Sequence, residues 1–92
     1  MKRYDYKGTE VTVTKDTYWD GTVALVMNTA DGEQFAVATV NLLHPRQSES
    51  SAFLDENNLP GIGAWIEDNG LGKRTGVTAV SGFCRYPLYM LF

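Results

Sequence analysis

The chain has 92 residues, 43% of them apolar and 12% aromatic, with eight basic against eleven acidic side chains and a net charge of -3. That length and composition fit a single folded domain over residues 1–92 and exclude both a disordered chain and two separate cores. The weak negative charge disfavours nucleic acid as a partner, and a single cysteine with a single histidine excludes a disulfide framework and an all-cysteine metal site and leaves too few ligands for zinc chemistry.

The first residues, Met1 to Tyr6, lack the apolar stretch of a secretory signal, and nothing in the chain approaches the ~20 apolar residues of a membrane span. A reducing, cytoplasmic setting without membrane contact is expected. Tyr4–Tyr6 and Val11–Tyr18 flank Lys7-Gly8-Thr9, and Val11–Thr14 alternates apolar with polar, so a hairpin opens the fold. Trp19-Asp20-Gly21 supplies an Asp-Gly turn into a strand over 22–28, with Val23, Leu25 and Met27 on one face and Ala24 and Val26 on the other. Asp31-Gly32 signals a second tight turn, and Gln34–Leu42 follows as one strand.

From Leu43 the composition turns polar, and His44–Ser51 reads as an exposed, mobile loop. Ala52–Leu54 is long enough only for a brief strand. A helix follows: Asn57 or Asn58 caps it, Pro60 sits in its first turn, Ile62, Trp65 and Ile66 form an inward stripe, and Gly70 stops it. Gly63 allows close approach to the sheet at a cost in helix propensity of about 1 kcal/mol. The chain closes with Val77–Val80 and Gly82–Phe92, where Pro87 marks a sheet edge or irregularity and the apolar end suggests a packed tail. The expected fold is α+β: an antiparallel sheet of about five strands from consecutive hairpins, with one helix on one face.

Few residues carry chemistry. Cys84 reads as a buried small hydrophobe, since His44, the one histidine, lies in the loop. The Gly70–Gly76 stretch follows a helix, where a phosphate-cradling loop would precede one, and is a turn with a basic tip at Lys73 and Arg74. Asp55-Glu56 lies near the favourable end of the helix dipole and Glu67-Asp68 near the unfavourable end, a placement that a solvated helix end accounts for first and that a partner's arginine would also relieve. Trp19, in a turn beside Asp20, is the aromatic least easily placed in a core and is expected to be a contact residue.

The combination Asp31-Gly32-Glu33, Ala38–Leu42, Asn57-Asn58, Pro60–Ile62, Asp68–Gly72, Thr75-Gly76 and Ser81–Tyr89 resembles a family of small bacterial, plasmid and phage proteins known as domain of unknown function 4313. The resemblance implies an accessory protein of a mobile element, with no catalytic residue or cofactor to carry over. Gly63 replaces the acidic residue usual in that family, and the His44–Ser51 loop is particular to this chain. A non-enzymatic protein is therefore expected, binding a host protein stoichiometrically through Trp19, Asp20, Glu67, Asp68, Lys73 and Arg74. An inhibitor of host defence of the anti-CRISPR kind is its concrete form. The alternatives are a small-ligand or nucleotide-binding sponge edged by Lys73, Arg74 and aromatics, or an enzyme using Cys84. An uncovered sheet edge would permit a homodimer.

Overall fold

The computed structural model describes residues 2–92. In chain order the elements are β1 (Arg3–Tyr6), β2 (Thr9–Thr17), β3 (Val23–Thr29), β4 (Gln34–Val37), β5 (Thr39–Val40), β6 (Ser51–Leu54), α1 (Ile62–Asp68), β7 (Gly72–Ser81) and β8 (Cys84–Leu91). The class is α+β, but the strands form two antiparallel sheets of four, β1-β2-β3-β4 and β5-β6-β8-β7, in place of the single five-stranded sheet expected.

The split has a local cause. The expected strand over 34–42 bends at Ala38, so that Val37 pairs with Val26 in the first sheet and Thr39 with Leu54 in the second. Ala38 itself joins both: its N–H donates to the Leu25 carbonyl at 2.8 Å, and its carbonyl accepts from Asp55 N–H at 2.8 Å. The short helix gives a physical reason for the second sheet. Seven residues make a cylinder only ~10 Å long, too little to cover a face of five strands spaced about 4.8 Å apart. The inner faces of the two sheets instead enclose one core, in which Val11, Leu25 and Met27 meet Ala52, Leu54, Tyr89 and the helix residues Ile62 and Ile66.

Four turns follow their local sequences. Lys7 (φ 50°) and Gly8 (φ 90°) both take positive φ between β1 and β2, as a two-residue primed turn requires. Tyr18–Thr22 and Thr29–Glu33 share one design, a turn closed by the glycine N–H onto the first carbonyl, with Gly21 (φ 84°) or Gly32 (φ 89°) in the left-handed position. Ser81 faces Cys84 across Gly82-Phe83, a two-residue turn with only Gly82 at positive φ. The long β7–β8 ribbon is interrupted where three residues, Thr75–Val77, oppose Leu88 alone, beside Pro87.

The helix differs from expectation at its start and agrees at its end. Gly61, left-handed at φ 87°, is the N-cap, and no side chain caps from that position. Glu56 does so from outside, its carboxylate accepting from Gly61 N–H at 2.9 Å and Gly63 N–H at 2.7 Å. Asn58 bonds the Asp55 carboxylate, and Pro60, just before the helix, accepts Lys7 Nζ at 2.9 Å. At the far end Gly70 N–H reaches the Glu67 carbonyl and Leu71 N–H the Ile66 carbonyl, the paired bonds of a Schellman stop with Gly70 left-handed. Trp65 leans onto β1, edge-on to Tyr4 and Tyr6, and donates Nε1–H to the Asp5 carbonyl at 2.7 Å.

Two further expectations are corrected. The loop after Leu43 is exposed at Pro45, Arg46, Glu49 and Ser50, as expected, but it is pinned at two points: Gln47 is buried, and the His44 ring lies edge-on to Phe53 with centroids 5.1 Å apart on the outer face of the second sheet. At the C-terminal end Leu91 is buried while the Phe92 side chain is exposed, although Phe92 N–H is held by the Leu71 carbonyl at 3.0 Å.

Candidate functional site

Trp19 and Asp20 occupy the two central positions of the Tyr18–Gly21 turn that joins β2 to β3. Trp19 projects outward, 84% exposed. Asp20 turns back: Oδ1 accepts from Thr22 N–H at 3.1 Å and Thr22 Oγ1 at 2.7 Å, while Oδ2 accepts from Asn41 Nδ2 at 3.1 Å. These bonds, led by the Thr22 hydroxyl, hold the Asp20 carboxyl below its ordinary range.

The network continues into the loop. Gln47 Nε2 donates to Asn41 Oδ1 at 2.9 Å and to Thr22 Oγ1 at 3.4 Å, closing a ring of four side chains: Asp20, Thr22, Gln47 and Asn41. Gln47 Oε1 accepts from Leu42 N–H at 2.7 Å, so its amide also fixes the loop backbone. A turn that looks local is thus cross-braced to a segment more than twenty residues away, and Trp19 stands on that braced turn. Asp20 belongs to that brace, as the residue that ties it together.

The other four expected site residues gather elsewhere, around the end of α1 and the start of β7. Arg74 N–H donates to Glu67 Oε2 at a long 3.5 Å. The Tyr89 hydroxyl and then the charges of Glu67 and Glu56 push the Arg74 guanidinium above its usual value. The unfavourably placed Glu67 therefore faces an arginine of its own chain. Asp68 is exposed and makes no side-chain bond among the described residues. Lys73, Arg74 and Thr75 line an open cleft of about 330 Å³ with Met90, which lies opposite Lys73 across the strands. Among the described residues neither cation forms an ion pair. No hydrogen bond joins this group to the Trp19 turn, so the structure presents two separate candidate surfaces.

Phe83 escaped the sequence reading, which placed it inside a closing strand. It is fully exposed at the tip of the β7–β8 ribbon. The signal was available: Gly82-Phe83 between Val77–Ser81 and Cys84–Tyr89 is a Gly-X turn between alternating strands. Leu43 was likewise passed over, although it is 66% exposed. Cys84 is half-buried, not buried, because it stands at the ribbon's outer end, beyond the core. Its neighbour is Tyr86, whose phenol is raised chiefly by hydrogen bonding with Cys84. His44 Nδ1 accepts from Arg46 N–H at 3.1 Å, so the histidine is engaged within its own loop. Among the described residues no three His, Cys, Asp or Glu side chains gather as a metal ion would require, and no helix is long and apolar enough to cross a membrane.

No curated protein and no solved structure matches this chain. A family model does, over residues 11–92, which includes the Trp19 turn, the helix and both closing strands. The chain belongs to the DUF4313 family, a domain of unknown function.

Proposed function

We propose that this domain is a non-enzymatic binding protein that acts by stoichiometric contact with another protein, with Trp19 as its anchor. The observation that carries the reading is an indole 84% exposed on a turn braced by a closed ring of side chains. Exposing an indole forgoes roughly 1.5–3 kcal/mol of burial, and aromatic side chains on rigid supports are the usual anchors of protein interfaces, because little conformational freedom is lost when they dock. The concrete form of the reading is an accessory protein of a mobile element or phage that inhibits a host defence protein, as anti-CRISPR proteins do. That form rests on the sequence resemblance and the small size of the chain. The test is capture of partners from a host lysate on immobilised full chain, followed by native mass spectrometry. A single partner in fixed ratio is expected; turnover of a substrate with no bound protein would overturn the reading.

A second reading is favoured by the cleft at Lys73, Arg74, Thr75 and Met90. Two cations over an apolar floor suit a small anionic ligand such as a nucleotide. A ligand that binds only the native state raises the melting temperature, so a screen of nucleotides by thermal denaturation separates the readings. A concentration-dependent rise abolished by Arg74→Ala would support the ligand sponge.

A further inference from the structure

We propose that the free edge of β7 takes an added strand from another protein, an extended acidic segment whose carboxylates meet Arg85 and Lys73. The inference goes beyond the Trp19 reading, since it concerns the second sheet and a surface with no hydrogen bond to the Trp19 turn. Four strands stand at sheet edges. β1 has four residues and carries Arg3 and Asp5, β4 has four and bends away into β5, and β5 has two, so each is blunted by charge or brevity. β7 has ten, and from Thr75 to Phe83 the strand and its turn hold no charged residue and no proline.

The two-residue turn makes Ser81 and Cys84 a hydrogen-bonded pair. Alternation then makes Ala79 with Tyr86 another, and leaves Val80 opposite Arg85 and Thr78 opposite Pro87 as pairs without mutual bonds. Pro87, which has no N–H to give, falls where that alternation needs none. The N–H and C=O groups of Thr78 and Val80 therefore point away from β8, and among the described residues no other strand meets them. A row of free backbone groups is the complement of an extended chain.

The charge of the ribbon selects among extended chains. From Gly72 to Leu91 it carries Lys73, Arg74 and Arg85 and no acidic residue; all eleven acidic residues of the protein lie outside it. Among its neighbours, the charges of Glu67 and Glu56 reach Arg74, and that of Asp55, which is buried and bonded to Asn58, reaches Tyr86. Lys73 and Arg85 are exposed and, among the described residues, form no ion pair. The Arg85 guanidinium reaches across to β7 and donates to Thr78 Oγ1 at 3.0 Å, beside the free backbone groups. Farther along the same edge, past the irregularity at Thr75–Val77, Lys73, Arg74 and Thr75 line the cleft over Met90. An added strand of about eight residues, at ~3.3 Å each, runs from Val80 to that cleft and brings a carboxylate to a cation at each end. A second copy would set one cationic ribbon against another, and duplex nucleic acid is opposed by the net charge of -3.

The probe is a synthetic eight-residue peptide that alternates glutamate with valine, titrated into the full chain and followed by amide resonances and hydrogen exchange. At saturation the Thr78 and Val80 amides are expected to exchange at least tenfold more slowly. Affinity is expected to be about tenfold above that of the same peptide with lysine for glutamate. Arg85→Glu is expected to reverse that preference at an unchanged melting temperature, and a glutamate peptide N-methylated at alternate residues is expected not to bind. No binding at millimolar peptide, equal affinity for the two peptides, or binding that leaves Thr78 and Val80 in fast exchange would each overturn the proposal. Protection of those amides that rises with protein concentration alone would overturn it in favour of a second copy, and protection by duplex DNA but not peptide in favour of nucleic acid. Trp19→Ala is expected to leave peptide affinity unchanged, so the two surfaces stand or fall separately.

Discussion

Leu43 stands in a backbone region that costs an L-residue about 1–2 kcal/mol, with a left-handed φ of 55°. Glycine escapes that cost but loses more chain entropy on folding, roughly 0.5–1 kcal/mol, so Leu43→Gly is expected to stabilise the domain by up to about 1 kcal/mol in urea denaturation. A clear destabilisation would mean that Leu43 packs in a way its exposure hides. Gly63 is the opposite case. A Cβ there would run into the Tyr89 hydroxyl and come within 2.9 Å of both Tyr89 Cζ and Glu56 Oε2. Tyr89 is buried and cannot swing away, so Gly63→Ala is expected to cost about 1–3 kcal/mol despite alanine's better helix propensity. The sequence showed a glycine inside a helix pattern but not what it makes room for.

Asp20 gives a pH prediction at the same scale. Its carboxyl is held below the ordinary value of 3.8 in the folded chain, chiefly by the Thr22 hydroxyl. A lowered folded value means that ionised Asp20 contributes stability above the unfolded pKa and loses that contribution as pH falls through the folded one. The stability gap between the native chain and Asp20→Asn is therefore expected to be full at neutral pH and to close below about pH 4. A gap that persists at pH 2 would show that the Asp20 charge does not contribute.

At the scale of elements, the loop over 41–50 depends on Gln47. Its buried amide makes four hydrogen bonds, to Leu42, His44, Asn41 and Thr22. Gln47→Ala is expected to cost roughly 1–3 kcal/mol and to release the Leu42 amide to fast hydrogen exchange. Protection unchanged at Leu42 would show that the loop holds by other means. This loop also marks the limit of what the sequence could tell. Hairpins were legible because Lys7-Gly8, Asp20-Gly21 and Asp31-Gly32 encode their backbone angles within two residues, and the helix stop because Gly70 does the same. The bracing of Asp20 by Asn41 and of Thr22 by Gln47 spans more than twenty residues, and a polar segment without periodicity gives no sign of its partner. The helix start was misread for a different reason, a local one: Asn57 and Asn58 are the better caps by type, yet the donors of Gly61 and Gly63 are met by the Glu56 carboxylate from outside the helix.

For the whole molecule, the alternation of apolar residues specified strands and their inner faces but not how many sheets they form. Ala38 is the hinge of that question, buried and bonded to a strand of each sheet, and it sits within Gln34–Leu42, which holds no glycine or proline to break it and so reads as one strand. The two-sheet arrangement leaves Trp19 and Phe83 exposed at the ends of hairpins, and puts Lys73 and Arg74 beside a cleft of their own. A binding role through Trp19 has its most direct test in the affinity of the captured partner for Trp19→Ala, measured by isothermal titration with the melting temperature checked alongside. An interface anchor contributes about 2 kcal/mol or more, so affinity should fall at least thirtyfold while the melting temperature stays within a few degrees. Affinity equal to that of the native chain, at an unchanged melting temperature, would contradict the account.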